Sequence, residues 1–252
     1  MTVLWESYVA GTHYSVRQVG ASIRLYSNRV FHSQWNPNKP FSGGVWDCLS
    51  LPAFYIPNDS VKRVLLLGLG GGAVVRQLQL ISDFSELIAV EIDKEHVEIA
   101  RRWFGVDDSR VKLLRKDAIS WLYSYRGAPF DLIIDDLFGH EDEGEPTRAC
   151  ALTSAWTDLH HTHLKRDGLL VVNCVNSKEM KQAIPALIDS GFRSGYRWTL
   201  PTYENSIAVL SNKAIHARDW SRNLEKSRLS QPSQKKARAT LRKPLKGFFN
   251  VA

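Results

Sequence analysis

Residues 61–78 read Val-Lys-Arg-Val-Leu-Leu-Leu-Gly-Leu-Gly-Gly-Gly-Ala-Val-Val-Arg-Gln-Leu, and this stretch decides the fold. An apolar run of strand length empties into Gly68, Gly70, Gly71 and Gly72, after which Ala73, Val74, Gln77 and Leu78 recur at helical spacing. The pattern predicts a strand, a tight turn and a helix start. Glycine suits such a turn because the backbone takes positive φ and a ligand approaches the main chain, which a Cβ would obstruct. A nucleotide-type cofactor is the expected occupant. Packing alone also produces glycine-rich turns, so the rest of the chain has to carry the case.

Downstream, strands and helices alternate. Strands are expected at 86–92, 110–114, 130–135 and 168–174, with helices at 94–104, 118–125, 147–164 and 178–189. Residues 193–199 and 206–211 lie close enough in sequence to form a hairpin at a sheet edge. Strands separated by helices imply a mostly parallel sheet of about seven strands with helices on both faces. Upstream, the short alternating runs His13–Val19, Ser22–Tyr26 and Arg29–His32 predict a small antiparallel hairpin unit, followed by a helix over Trp46–Tyr55 interrupted at Pro52. The expected organisation is a hairpin unit at 1–60, an α/β cofactor-binding catalytic domain at 61–212, and an extension at 213–252.

The composition, 44% hydrophobic over 252 residues, is that of a soluble globular protein. No apolar segment approaches the ~20 residues that span a bilayer, and the N-terminus lacks a basic region followed by a hydrophobic one, so a cytoplasmic location is expected. Cys48, Cys150 and Cys174 have no Cys-x-x-Cys spacing, and His160, His161 and His163 have no i, i+4 pair. Neither a disulfide framework nor a metal site is expected. The net charge of +7 is concentrated in one place: from Lys213 onward eleven Lys and Arg face two acids, which leaves the preceding 212 residues at −2. That segment reads as a flexible basic extension; the sharper alternative is contact with nucleic acid or another polyanion, helped by the interleaved Trp220, Phe248 and Phe249.

In a doubly wound sheet the ligand lies at the carboxyl ends of the strands. The first strand delivers the glycines, the second Glu91 and Asp93, the third Asp117, and the fourth Asp135 and Asp136. Glu91 lies about 20 residues past the glycines, where a carboxylate accepts ribose hydroxyls. Carboxylates gathered round one cleft raise one another's pKa, so a cationic cofactor or acceptor would suit them. Gly68, Gly70 and Ala73 also fit Gly-x-Gly-x-x-Ala, which keeps a nicotinamide-dependent dehydrogenase open. So does a non-catalytic nucleoside-binding or scaffold protein that uses the basic tail.

Over Ile23–Leu210 the chain resembles the spermidine-synthase-like family of S-adenosylmethionine-type Rossmann transferases. The motifs that carry the likeness are Val64–Leu78, Val90-Glu91-Ile92-Asp93, Lys116-Asp117-Ala118, Phe130–Asp136 and Pro201-Thr202-Tyr203. The resemblance implies a Rossmann-like methyltransferase fold behind a hairpin unit, and a homodimer. It implies a cofactor site of Gly68, Gly70, Gly71, Gly72, Glu91, Ile92, Asp117, Ala118 and Asp135. Asp136 would deprotonate the attacking nucleophile, and Trp46, Asp47 and Tyr203 would border a small-molecule acceptor, for which an amine, including a cationic one, is the expectation. From its residues alone, the acidic run His140–Glu145 either attracts such an acceptor or is simply a solvated loop.

The departures matter as well. The family places an aspartate where this chain has Gly71, a Tyr-His-Glu run where it has Val45-Trp46-Asp47, and a second acid where it has Gly139. Loss of a carboxylate that would hold the amine of decarboxylated S-adenosylmethionine favours ordinary S-adenosylmethionine and methyl transfer as the expected reaction. Aminopropyl transfer from the decarboxylated donor is the alternative.

Overall fold

The computed structural model describes residues 1–139 and 147–248. The chain opens with β1 (Thr2–Val9), β2 (Thr12–Val19), β3 (Ser22–Ser27) and β4 (Val30–Trp35), an antiparallel meander. Next come α1 (Val45–Ser50) and a 3-10 turn, Leu51–Tyr55, which begins where Pro52 removes the donor that an α-helix needs. The α/β region runs β5 (Arg63–Leu67), α2 (Ala73–Ile81), β6 (Glu86–Glu91), α3 (Lys94–Arg102), β7 (Val111–Arg115), α4 (Ala118–Ser124) and β8 (Phe130–Asp135). A small ladder, β9 (Phe138–Gly139) with β10 (Thr147–Arg148), brackets residues 140–146, so the acidic run His140–Glu145 lies outside the described residues. The chain continues through α5 (Ser154–His163), β11 (Leu164–Cys174), α6 (Ser177–Asp189), β12 (Ser194–Thr199), β13 (Ser206–Ser211), α7 (Ala217–Glu225), α8 (Gln231–Arg238) and β14 (Leu241–Pro244).

The main sheet has the order β14-β12-β13-β11-β8-β5-β6-β7. From β11 to β7 it is parallel, and β12, β13 and β14 are antiparallel. β5 lies in the middle, with Val64 to Leu67 fully buried, as a parallel strand covered on both faces must be. Val64 and Leu66 pack towards α1, α2, α3 and α7, whereas Leu65 and Leu67 pack towards α4, α5 and α6. This is the Rossmann-like methyltransferase fold with an antiparallel edge and an N-terminal hairpin sheet. Among the described residues no helix is long and apolar enough to cross a membrane.

Two expectations are corrected. The helix expected from residue 147 begins only at Ser154, because 147–148 pair as β10 and Thr153 caps α5 by accepting from the Trp156 N–H. Residues 213–248 are folded onto the domain. Trp220 of α7 is fully buried and its Nε1 donates to the Leu51 carbonyl at 2.8 Å, while Asn223 Nδ2 donates to the Phe54 carbonyl at 2.8 Å. β14 extends the sheet beside β12, and the Arg242 guanidinium lies 3.7 Å from the Trp220 ring centroid and 5.4 Å from that of Trp198. Trp220 and Leu224, four residues apart, form a narrow buried stripe inside a strongly charged segment.

Candidate functional site

A cavity of about 570 Å³ opens at the carboxyl ends of β5, β6 and β8. The glycine turn forms one wall. Gly68, at φ +87°, has no room for a side chain, because a Cβ there would run into the Asp136 carbonyl oxygen. Gly70, also at positive φ, lines the cavity with its backbone. Glu91 stands beside the turn: its Oε2 accepts from the Leu69 N–H at 2.9 Å and the Gly70 N–H at 3.2 Å, and its Oε1 accepts from the Asp93 N–H at 3.0 Å. These bonds tie the end of β6 to the turn after β5. Ile92, Asp117 and Ala118 continue the same wall. Asp117 caps α4, accepting from the Ile119 and Ser120 N–H groups and from the Ser120 hydroxyl at 2.6 Å, and that hydroxyl holds its carboxyl below the ordinary carboxylate range.

Asp136 faces into the cavity from the end of β8. Its Oδ1 accepts from Asn173 Nδ2 at 2.7 Å, and Asn173 Oδ1 accepts from Asn205 Nδ2 at 3.0 Å. Burial pushes the Asp136 carboxyl up to about 6, with the charges of Asp135 and Glu91 adding to the rise and the Asn173 bond opposing it. Opposite, Phe31, Trp46 and Tyr203 make an aromatic wall, with Phe31 and Trp46 meeting edge to face at 5.1 Å between centroids. His32 and His96 also line the space, and their rings lie 5.0 Å apart.

Four expected site residues are placed elsewhere. Asp135 is fully buried behind the strand end, because consecutive strand residues point to opposite faces. There its Oδ2 accepts from Arg148 Nη2 at 2.7 Å and Trp156 Nε1 at 2.9 Å, and His160 Nε2 lies 3.3 Å away. Burial works against this charge, yet Arg148 and His160 outweigh it and hold the carboxyl well below the ordinary range. Asp47 is also buried; it accepts from the Gly43 N–H and from Gln77 Nε2, pinning the loop ahead of α1. Desolvation raises its carboxyl to about 6. Gly71 and Gly72 look away from the cavity: a Cβ at Gly71 would stand 2.7 Å from Phe104 and 2.8 Å from Ser33, and one at Gly72 would stand 2.6 Å from Val106. Phe31, His32, His96, Asn173 and Asn205 line the cavity and Arg148 bonds behind it to Asp135 and the Asn173 carbonyl; the sequence reading missed all six. Their places arise from contacts between elements far apart in sequence, and no local pattern marks them.

The lining therefore carries Glu91, Asp117 and Asp136, and among its described residues there is no Lys or Arg. No group of three or more His, Cys, Asp or Glu able to hold a metal occurs among the described residues.

The β5-turn-α2 unit, the carboxylate at the end of β6 and the antiparallel edge define a Rossmann-like protein of the S-adenosylmethionine methyltransferase fold. Residues 49–217 match the spermine/spermidine synthase domain, and the chain belongs to that family. It is 41% identical over 83 residues to polyamine aminopropyltransferase 2 of Caldanaerobacter subterraneus, covering 32% of this chain and 28% of the relative. It is 31% identical over 137 residues to the polyamine aminopropyltransferase of Clostridioides difficile, covering 50% and 47%. The chain spans less than half the length of these curated relatives. A probable spermidine synthase from Corynebacterium glutamicum superimposes with a TM-score of 0.71 at 19% identity, over 94% of this chain and 93% of that one, which shows a shared fold.

The preference for methyl transfer drew on the departures at Gly71, Val45-Trp46-Asp47 and Gly139, with Gly71 the most telling, and aminopropyl transfer now fits better. Position 71 faces Phe104 and Ser33 and does not line the cavity, and both curated relatives named here are aminopropyltransferases.

Proposed function

We propose that the protein transfers an aminopropyl group from decarboxylated S-adenosylmethionine to an amine of a small polyamine-class acceptor. The observation that carries this reading is the lining itself, with three carboxylates and no Lys or Arg among its described residues. A donor with a sulfonium and an ammonium is matched to such walls. The carboxylate of ordinary S-adenosylmethionine would face Glu91, Asp117 and Asp136 with no cationic partner. A volume of about 570 Å³ accommodates both donor and acceptor.

The donor supplies an electrophilic carbon on sulfur, and its leaving group departs as a neutral thioether. The protein's work is alignment and proton removal. Glu91 and the backbone at Gly68 and Gly70 hold the ribose end, and Asp117, Ile92 and Ala118 border the base. Asp136 takes the proton from the attacking ammonium so that its nitrogen lone pair is free. Phe31, Trp46 and Tyr203 provide the apolar and aromatic surface along which the acceptor's methylene chain lies.

The test is product analysis: purified protein incubated with decarboxylated S-adenosylmethionine and a panel of diamines and triamines should release methylthioadenosine and lengthen the amine. Release of S-adenosylhomocysteine from ordinary S-adenosylmethionine, with no methylthioadenosine from the decarboxylated donor, would overturn the reading.

Two further expectations stand as proposals. Homodimerisation would use the hairpin sheet, whose first strand exposes Val3 and Tyr8, and light scattering after size exclusion checks it. Polyanion contact would use the folded surface where α8 exposes Lys235, Lys236 and Arg238, and salt-dependent heparin retention checks that.

A further inference from the structure

Asp136 is held by a two-step amide relay that begins on the far side of the cavity. Asn173, near the end of β11, is buried, and its amide lies between the Asp136 carboxyl and Asn205. Asn205 stands in the connection between β12 and β13, two residues beyond Tyr203. A side-chain amide has one donor end and one acceptor end, so whatever faces one end dictates what the other presents. With the Asn205 NH₂ on its oxygen, Asn173 offers its own NH₂ to Asp136. A donor favours the ionised carboxylate. Turned about, Asn173 would offer a carbonyl oxygen, which only a protonated Asp136 can bond.

We propose that Asn205 is a positioning residue: it fixes the Asn173 amide and through it keeps Asp136 ionised and oriented, tying the loop that carries Tyr203 to the base. The proposal rests on the reading of Asp136 as the proton acceptor given above. Asp136 is surrounded by charge that does not do this work. Glu91 from β6 and Asp135 from its own strand disfavour its ionisation, and Asp117 from the α4 cap shares the same walls. Arg148 favours ionisation but spends its Nη2 on Asp135 and its Nη1 on the Asn173 carbonyl. His32 from β4, His96 from α3 and Tyr203 complete the set of titratable groups around the cavity. Of all these neighbours, the Asn173 amide supplies the side-chain hydrogen bond that opposes the upward push.

The test compares Asn205→Ala and Asn205→Asp with Asn205→Gln, which keeps the donor. Two readouts are taken on protein shown to be folded by circular dichroism. The first is the titration of the Asp136 carboxyl carbon by NMR in aspartate-labelled protein, with the signal assigned by its loss in Asp136→Asn. The second is the pH profile of methylthioadenosine release. The relay predicts a titration midpoint about one pH unit higher in Asn205→Ala and higher still in Asn205→Asp, with Asn205→Gln close to the parent. On the acid side of the profile kcat should fall about tenfold while KM for the donor stays within about twofold. An unchanged midpoint in both Asn205→Ala and Asn205→Asp would overturn the relay. Failure of the parent protein to release methylthioadenosine would overturn the functional reading instead, and the titration would still decide the relay.

Discussion

Replacing Arg148 with Met would leave Asp135 charged, buried and short of its strongest partner. Both side chains are almost fully shielded from water, at 2% and 0% exposure, and the guanidinium also bonds the carbonyls of Cys150 and Asn173. Removing one member of a buried pair costs about 3–5 kcal/mol, because the remaining charge has lost its compensation. Trp156 Nε1 and His160 still face Asp135, which places the expected cost near the lower end, about 3 kcal/mol. Against a typical total of about 5–15 kcal/mol this is a large loss, and for a chain of this size it lowers Tm by about 6–12 °C. The cost depends on pH in a definite direction. Arg148 depresses the Asp135 carboxyl in the folded state, so the pair contributes its stability above the ordinary carboxylate value and loses it as pH falls through the depressed one. The gap between parent and variant should therefore be widest near pH 7 and narrow towards pH 4, where Asp135 in the variant takes up a proton. Urea denaturation followed by tryptophan fluorescence measures this, with Asp135→Asn/Arg148→Met recovering at least half of the loss. A variant within about 1 kcal/mol of the parent at pH 7, or a double variant no better than the single, would refute this assignment.

Asp136→Asn should reduce turnover by about 10²–10⁴-fold, with donor affinity retained in calorimetry. In the parent protein kcat/KM should fall as pH drops through about 6, where Asp136 gains its proton. The same raised value means that the folded state loses stability as pH rises from the unfolded carboxylate value through about 6, so Asp136→Asn should raise Tm at pH 8 and leave it unchanged at pH 4. Gly71→Asp should not improve use of the decarboxylated donor; with Phe104 at 2.7 Å and Ser33 at 2.8 Å from the new Cβ, it should overpack the core and lower Tm in differential scanning fluorimetry. Trp220→Ala empties a fully buried site and orphans the Leu51 carbonyl, at about 4 kcal/mol by chemical denaturation; an effect under about 1 kcal/mol would mean that α7 is only loosely attached.

Much of the fold was legible because its signals are local. The run Val64–Leu67 ending in glycines, and the regular alternation that follows it, specify β5, α2 and the parallel sheet without reference to distant residues. The C-terminal elements were not legible. The partners of Trp220 and Asn223 are Leu51 and Phe54, 169 residues away in both cases, and Arg and Lys dominate the composition around them. Gly68, Gly70, Glu91, Asp117 and Asp136 come together in one cavity because the strand ends that carry them converge. Asp135 was misplaced although strand alternation forbids two neighbours from sharing a face. Asn173 and Asn205 carry no motif; their pairing exists only because β11 and β13 run side by side.

The acidic cavity should take a donor that lacks a carboxylate. A carboxylate about 7 Å from a fixed negative charge is disfavoured by about 2 kcal/mol at an effective dielectric of about 20. Isothermal titration calorimetry at pH 7.5 and 0.15 M salt should therefore find decarboxylated S-adenosylmethionine binding at least about tenfold more tightly than S-adenosylmethionine. Equal affinity, or tighter binding of the carboxylated form, would contradict it.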